Sequence, residues 1–215
     1  MAADYLETGR TNQKWRTRQA LLDAANALLR DGRTPTVAEV ADAARVARTT
    51  AYRYFPTQKE LIAGAMVMAT LGTAAQPVDA AAAIVGTPSE RLDAVVRADW
   101  QTTTTNETVF RAYLSEAIAG GPEGRPGNRV RWVSKALETL KPRLGAARFA
   151  KLVNALTLCL GIESLITLRD VCRLAPDAAE KTKRWAAQLI LKAALDEPAP
   201  RAKRSAPRNK RPAPR

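Results

Sequence analysis

The chain contains no histidine among its 215 residues. That removes the commonest general acid–base side chain and the commonest metal ligand together. No glycine-rich phosphate loop and no metal-ligand spacing replaces it. These absences argue against an enzyme and against a metal or organic cofactor. Cysteine is scarce: Cys159 and Cys172 are the two present. They are too far apart along one helical pattern to bridge within it and are expected to be buried free thiols in a reducing cytoplasm. No apolar run reaches the ~18 residues of a membrane span, and the N-terminus lacks the apolar run of a signal peptide. A cytoplasmic protein with no membrane partner is expected.

What is present is enough for a real core. Hydrophobic residues make up 46% of the chain and charged residues 26%, compatible with one or two domains. The net charge of +13 is unevenly placed. Residues 1–60 carry 10 Lys/Arg against 7 Asp/Glu, and residues 61–197 carry 17 against 14. Residues 198–215 carry 7 against 0, so more than half the excess lies in this tail. The tail is Pro/Ala/Lys/Arg without apolar period and is expected to be disordered.

Residues 36–61 are the stretch the rest serves. Thr36 with Glu39 forms a capping box opening one short helix, in which Val37, Val40, Ala41 and Ala44 share an apolar face. Arg45, Val46 and Ala47 make a turn. A second helix, about Arg48 to Phe55, is too short to stand alone. Ala51, Tyr52 and Phe55 are expected to pack, leaving Arg48, Thr49, Thr50, Arg53 and Tyr54 outward. Such a helix suits the DNA major groove, where arginine pairs bidentately with guanine and threonine can bond a base or touch a thymine methyl. The first helix would cross the DNA backbone.

Val40-Ala41, Val46, Thr50, Tyr52-x-x-Phe55-Pro56-Thr57 and Glu60-Leu61-Ile62 resemble the helix-turn-helix signature of the TetR family of bacterial transcription regulators. The resemblance implies an all-α protein of about nine helices. An N-terminal three-helix helix-turn-helix domain would bind double-stranded DNA, and a C-terminal helical domain would bind a small-molecule effector and form a homodimer. DNA reading falls to Arg48, Thr49, Thr50, Tyr52, Arg53 and Tyr54; Thr36, Lys59, Lys14 and Arg18 are candidates for phosphate. Three positions depart from the family pattern. Arg45 stands where glycine is usual, and is strained by roughly 1 kcal/mol if that position needs positive φ. Gln58, followed by Lys59, stands for the usual lysine. Thr49 stands for a small residue and changes base readout.

In chain order, residues 1–13 show no periodicity and are expected to be loose, and residues 14–60 form the DNA-binding domain. Its first helix runs from about Trp15 to Arg30 and stops at Gly32. Thr57 and Glu60 repeat the capping box and start a connecting helix to about Ala75. Residues 61–197 form the second domain. In it, Thr87-Pro88-Ser89-Glu90 starts a helix, with a kink expected at Asn106-Glu107 after the poor helix formers Thr102–Thr105. Helices follow over Thr108–Ala119 and Asn128–Leu140, separated by a loop from Gly120 to Gly127. Residues 146–174 read as one long helix, apolar nearly all round from Leu152 to Leu168. Such a helix must be covered on several sides, most simply by a second copy of the chain. Pro176-Asp177 opens the last helix.

Candidate effector contacts are Trp100, Thr103, Phe110, Tyr113, Trp132, Asn154, Thr157 and Glu163, as polar or aromatic groups among apolar helices. Glu163 is also a candidate partner of Arg169 or Arg173 on another subunit. Candidate dimer contacts are Leu156, Leu160, Leu165, Trp185 and Leu189. A homodimeric repressor relieved by a ligand is the leading expectation. The alternative is a sequence-independent architectural DNA binder acting through the basic tail.

Overall fold

The computed structural model describes residues 2–71, 75–119 and 127–197, so the expectations for the glycine-rich loop and the basic tail lie outside the described residues. Twelve α-helices and no strands make up the described chain: α1 Ala2–Arg30, α2 Val37–Ala43, α3 Arg48–Tyr54, α4 Gln58–Leu71, α5 Ala75–Ala82, α6 Pro88–Thr105, α7 Glu107–Ala119, α8 Asn128–Ala136, α9 Lys141–Leu144, α10 Ala146–Thr157, α11 Ile162–Ile166 and α12 Pro176–Asp196. The class is all-α, with more and shorter helices than the nine anticipated.

The first core joins α1, α2, α3 and α4 around Leu21, Leu22, Leu29, Val40, Ala51, Phe55, Leu61 and Ile62. Helix α1 starts at Ala2, well before Trp15, so the loose N-terminus expected from sequence is helical backbone. Extending an existing helix adds one hydrogen bond per residue fixed and needs no new nucleus. The far end of α1 stops as predicted. Gly32 takes φ +77°, and Arg33 N–H reaches back to the Leu28 carbonyl, a Schellman closure.

The second core gathers α5, α6, α8, α10 and α12 around Val78, Leu92, Val95, Val96, Val133, Leu137, Leu156, Leu160 and Leu191. Helix α6 runs unbroken through its threonines to Asn106. Thr104 bonds its hydroxyl to the Trp100 carbonyl four residues back, at 2.8 Å, which lets a poor helix former stay in register. Helix α7 spans both regions. Val109 and Ala112 belong to the first core, while Phe110 and Leu114 also pack on a small third cluster of Trp100, Ile162, Leu165 and Ala179.

The long helix expected over residues 146–174 is broken. α10 ends at Thr157, α11 begins at Ile162, and a π-helical turn occupies Thr167–Val171. Gly161 at the break has φ +81°. Its peptide is held from both sides: the Gly161 N–H donates to Asp99 at 2.9 Å, and the Leu160 carbonyl accepts from Arg129 at 2.9 Å. Asp99 also accepts from Lys183 at 2.6 Å, in an ion pair whose side chains are 5% and 1% exposed. Lys183 lies 5.4 Å from the Trp100 ring centre. Breaking the helix turns its apolar residues into the chain's own core. Leu156, Leu160 and Leu165 are fully buried within one chain, which corrects their assignment to a dimer interface. Cys159 is half-buried, with burial pushing its thiol up, while Cys172 is exposed and so departs from the expected pair of buried thiols.

Candidate nucleic-acid interface

The Thr36–Glu39 capping box forms as the sequence predicts. Glu39 N–H donates to Thr36 Oγ1, and the Glu39 carboxylate accepts the Thr36 N–H at 2.8 Å. The same carboxylate takes the Thr36 hydroxyl and an Arg33 guanidinium, both at 2.9 Å. The backbone N–H of Thr36 is the main cause that holds the Glu39 carboxyl below the usual carboxylate range. The Thr36 hydroxyl is therefore committed to Glu39 in the structure, rather than standing free for a phosphate.

The α2–α3 turn is a Schellman closure around Arg45. Arg45 N–H bonds the Asp42 carbonyl, and Val46 N–H bonds the Ala41 carbonyl at 2.9 Å. This geometry puts Arg45 at φ +55°, the left-handed region that favours glycine. The positive φ on which the anticipated strain depends is present.

Helix α3 turns on a packing face of Ala51 and Phe55, with half-buried Tyr54 against the same core. The outward face carries Arg48, Thr49, Tyr52 and Arg53, all exposed, with Thr50 at the margin. Tyr52 and Tyr54 thus exchange the places expected for them. Helical spacing explains it: Tyr52 lies four residues after Arg48 and shares its face, whereas Tyr54 lies three after Ala51 and shares the buried one. Tyr52 therefore stands among the outward groups, and Tyr54 helps to seat the helix. Arg53 lies 5.9 Å from the Tyr54 ring centre.

Three further basic residues lie on the neighbouring helices α1 and α4. Lys14 and Lys59 are exposed. Arg18 on α1 stacks on Phe55, 5.5 Å from the ring centre, at the foot of α3. Gln58 Nε2 reaches the Thr34 carbonyl at 3.4 Å and ties the start of α4 to the α1–α2 loop. Sequence reasoning missed Asp42, in the last turn of α2. Its carboxylate accepts Arg48 Nε at 3.1 Å and Nη2 at 2.6 Å. The Arg48 hydrogen bonds hold the Asp42 carboxyl below the usual range, and Asp42 pushes the Arg48 guanidinium further up. No motif announces a pair formed across a turn.

The eight candidate effector residues lie in several different surroundings. Trp100 and Phe110 meet in the third cluster, and Thr103 is buried. Tyr113 packs on the first core. Trp132 packs on the second core and donates its indole N–H to Asp79 at 3.1 Å. Asn154 is exposed, and Thr157 returns its hydroxyl to the Val153 carbonyl at 2.8 Å. Glu163 pairs within the chain with Arg129, at 2.8 and 3.1 Å, rather than with Arg169 or Arg173 of a second copy. A cleft of about 340 Å³ lies elsewhere, between α10 and α12, lined by Leu144, Leu152, Ala155, Ile190 and Ala194 with Arg148, Lys151 and Glu197. Of the dimer candidates, Trp185 and Leu189 are 64% and 44% exposed; Leu158, the residue that follows α10, is 79% exposed. No single helix among the described residues is long and apolar enough to cross a membrane.

Residues 21–65 match the family model of bacterial regulatory proteins of the tetR family. This span takes in most of the first core and the whole of α2 and α3. No curated protein matches the chain. Among solved structures, one described as a transcription regulator from Lactobacillus plantarum aligns with 15% identity and a TM-score of 0.46, over 79% of this chain and 97% of that one.

Proposed function

We propose that this protein, a member of the tetR family of bacterial regulatory proteins by the match of residues 21–65, is a ligand-relieved repressor that binds its operator as a homodimer. DNA binding and transcription regulation come with the family. Repression, the homodimer and the effector are our reading of this chain. The outward face of α3 is the observation that carries it: two arginines, a threonine and a tyrosine exposed on a short helix that is fixed from behind by Ala51 and Phe55. A helix so mounted can enter the major groove, with Arg48 at its N-terminal end directed to base edges. Lys14, Arg18 and Lys59 supply positive charge beside it for phosphates.

The homodimer is supported by Trp185, Leu189 and Leu158, large apolar side chains exposed on or beside the C-terminal helices. Trp185 and Leu189 lie four residues apart on α12 and so share one exposed face, and a contiguous apolar surface of that kind marks an interaction site. In a two-fold dimer the two α3 helices would sit about one DNA turn apart, roughly 34 Å. An effector that favours a different spacing would weaken operator binding by population shift. Its binding site is proposed within residues 61–197. The C-terminal tail, with 7 basic and 0 acidic residues, adds salt-dependent affinity for any DNA. A cytoplasmic location follows from the role.

Fluorescence anisotropy on the DNA upstream of its own gene, with unrelated DNA as control, tests this reading. The expected result is a preference of ~10³-fold or more for one site, surviving removal of residues 198–215 and lost in Arg48→Ala. Equal affinity for all DNA, lost with the tail, would instead make the protein an architectural DNA binder.

A further inference from the structure

Asp42 is oddly placed. It stands in the last turn of α2, where unsatisfied carbonyls make the helix end negative and a carboxylate is disfavoured. It also lies across one turn from the helix that meets DNA, where its charge opposes phosphates. Its ion pair with Arg48 has side chains 56% and 63% exposed, so it adds little stability. A residue that breaks a local rule without a stabilising return points to function.

What Asp42 does is occupy Arg48. Its two oxygens take Nε and Nη2 of the guanidinium together, at 3.1 and 2.6 Å. That fork-to-fork geometry is the one a guanine edge offers through O6 and N7. A phosphate can also offer two oxygens to this fork, but phosphates line the rim of the groove. A helix seated in the groove sets Arg48 against base edges, where a guanine replaces the two carboxylate bonds with two.

We propose that Asp42 is a specificity-determining residue: it masks Arg48 from phosphates on unrelated DNA and yields it to a guanine edge in the operator. The proposal rests on the reading that α3 enters the major groove. It is a competitor built into the protein, raising discrimination by weakening the wrong complex. On unrelated DNA the masked Arg48 neutralises no phosphate. Without Asp42, Arg48 is free to reach one anywhere.

The test is anisotropy over a salt series, with full-length wild type, Asp42→Ala, Arg48→Ala and the double variant, on the upstream DNA and on an unrelated duplex. Asp42→Ala is expected to bind unrelated DNA more tightly, with a log–log salt slope steeper by about 0.9, the increment of one added phosphate contact. The ratio of operator to unrelated affinity should fall by roughly tenfold, the scale of one bidentate base contact. Added to Arg48→Ala, the same substitution should leave the slope unchanged. An equal effect in both backgrounds would mean that Asp42 merely repels DNA, and an unchanged affinity ratio would mean that it masks nothing; either overturns the proposal. Should wild type show no preferred site, the functional reading fails. The slopes on unrelated DNA, with and without Arg48, would still decide whether masking occurs.

Discussion

Lys183→Met removes the cation from a buried ion pair and should cost about 3–5 kcal/mol. In wild type, Asp99 is satisfied by Lys183 at 2.6 Å and by the Gly161 N–H at 2.9 Å. With methionine in place of Lys183, the carboxylate keeps one neutral donor in a site where it is 5% exposed. Desolvation of an unpaired charge is then the dominant loss. Asp99→Asn leaves the opposite problem, an ammonium beside the Trp100 ring with no anion. The double variant Asp99→Asn/Lys183→Met removes both charges, and the new amide oxygen can still accept from Gly161. It should recover most of the loss, because replacing both members of a buried pair is often close to neutral. Thermal unfolding at fixed protein concentration is the assay, with tryptophan fluorescence as a second probe because Trp100 adjoins the pair. For a chain of this size each single variant should lower the melting temperature by roughly 6–20 °C. The reasoning is refuted if Lys183→Met costs less than about 1 kcal/mol, or if the double variant loses the sum of the two singles.

Three other outcomes follow from the same structure. Arg45→Gly should raise the melting temperature, by up to about 1 kcal/mol of relieved left-handed strain, while the β-branched Arg45→Val should lower it; equal values for all three proteins would show that φ +55° carries no strain. The Asp170 carboxyl is held below the usual range by the Arg111 guanidinium, which it meets at 2.7 and 2.9 Å. A depressed folded-state value stabilises above the unfolded pKa of about 3.9 and is lost as the pH falls through the folded value. Wild type should therefore outlast Asp170→Asn in urea at neutral pH, with the gap closing in acid, and a gap independent of pH would contradict the assignment. Trp185→Glu with Leu189→Lys should sediment as a monomer with native helicity, and a persisting dimer would place the interface elsewhere.

Short-range chemistry was legible in the sequence. The capping boxes at Thr36–Glu39 and Thr87–Glu90, the glycine stop at Gly32 and the strain at Arg45 all depend on residues within a few positions of one another. Contacts between distant residues were not. Arg129 meets Glu163 across 34 positions and Lys183 meets Asp99 across 84, and these pairs help to hold the break at Gly161. The apolar pattern runs on past the break, with the glycine at 161 as its mark in the sequence, so Leu156, Leu160 and Leu165 read as available to a partner when they are fully enclosed. Tyr52 and Tyr54 show a finer limit. On a seven-residue helix, a small error in the phase of the packing face exchanges two aromatic side chains.

Helix α7 has a consequence for anyone who would cut this protein. By position it belongs to the C-terminal portion, yet Val109, 1% exposed, and Ala112 complete the wall against which α1 and α4 close. A fragment ending after α4 would carry the whole matched DNA-binding span and still lack part of its own interior. The reading head is thus not a detachable module. A chimera that grafts it onto a foreign sensor domain must bring α7, or a substitute that fills the same hollow.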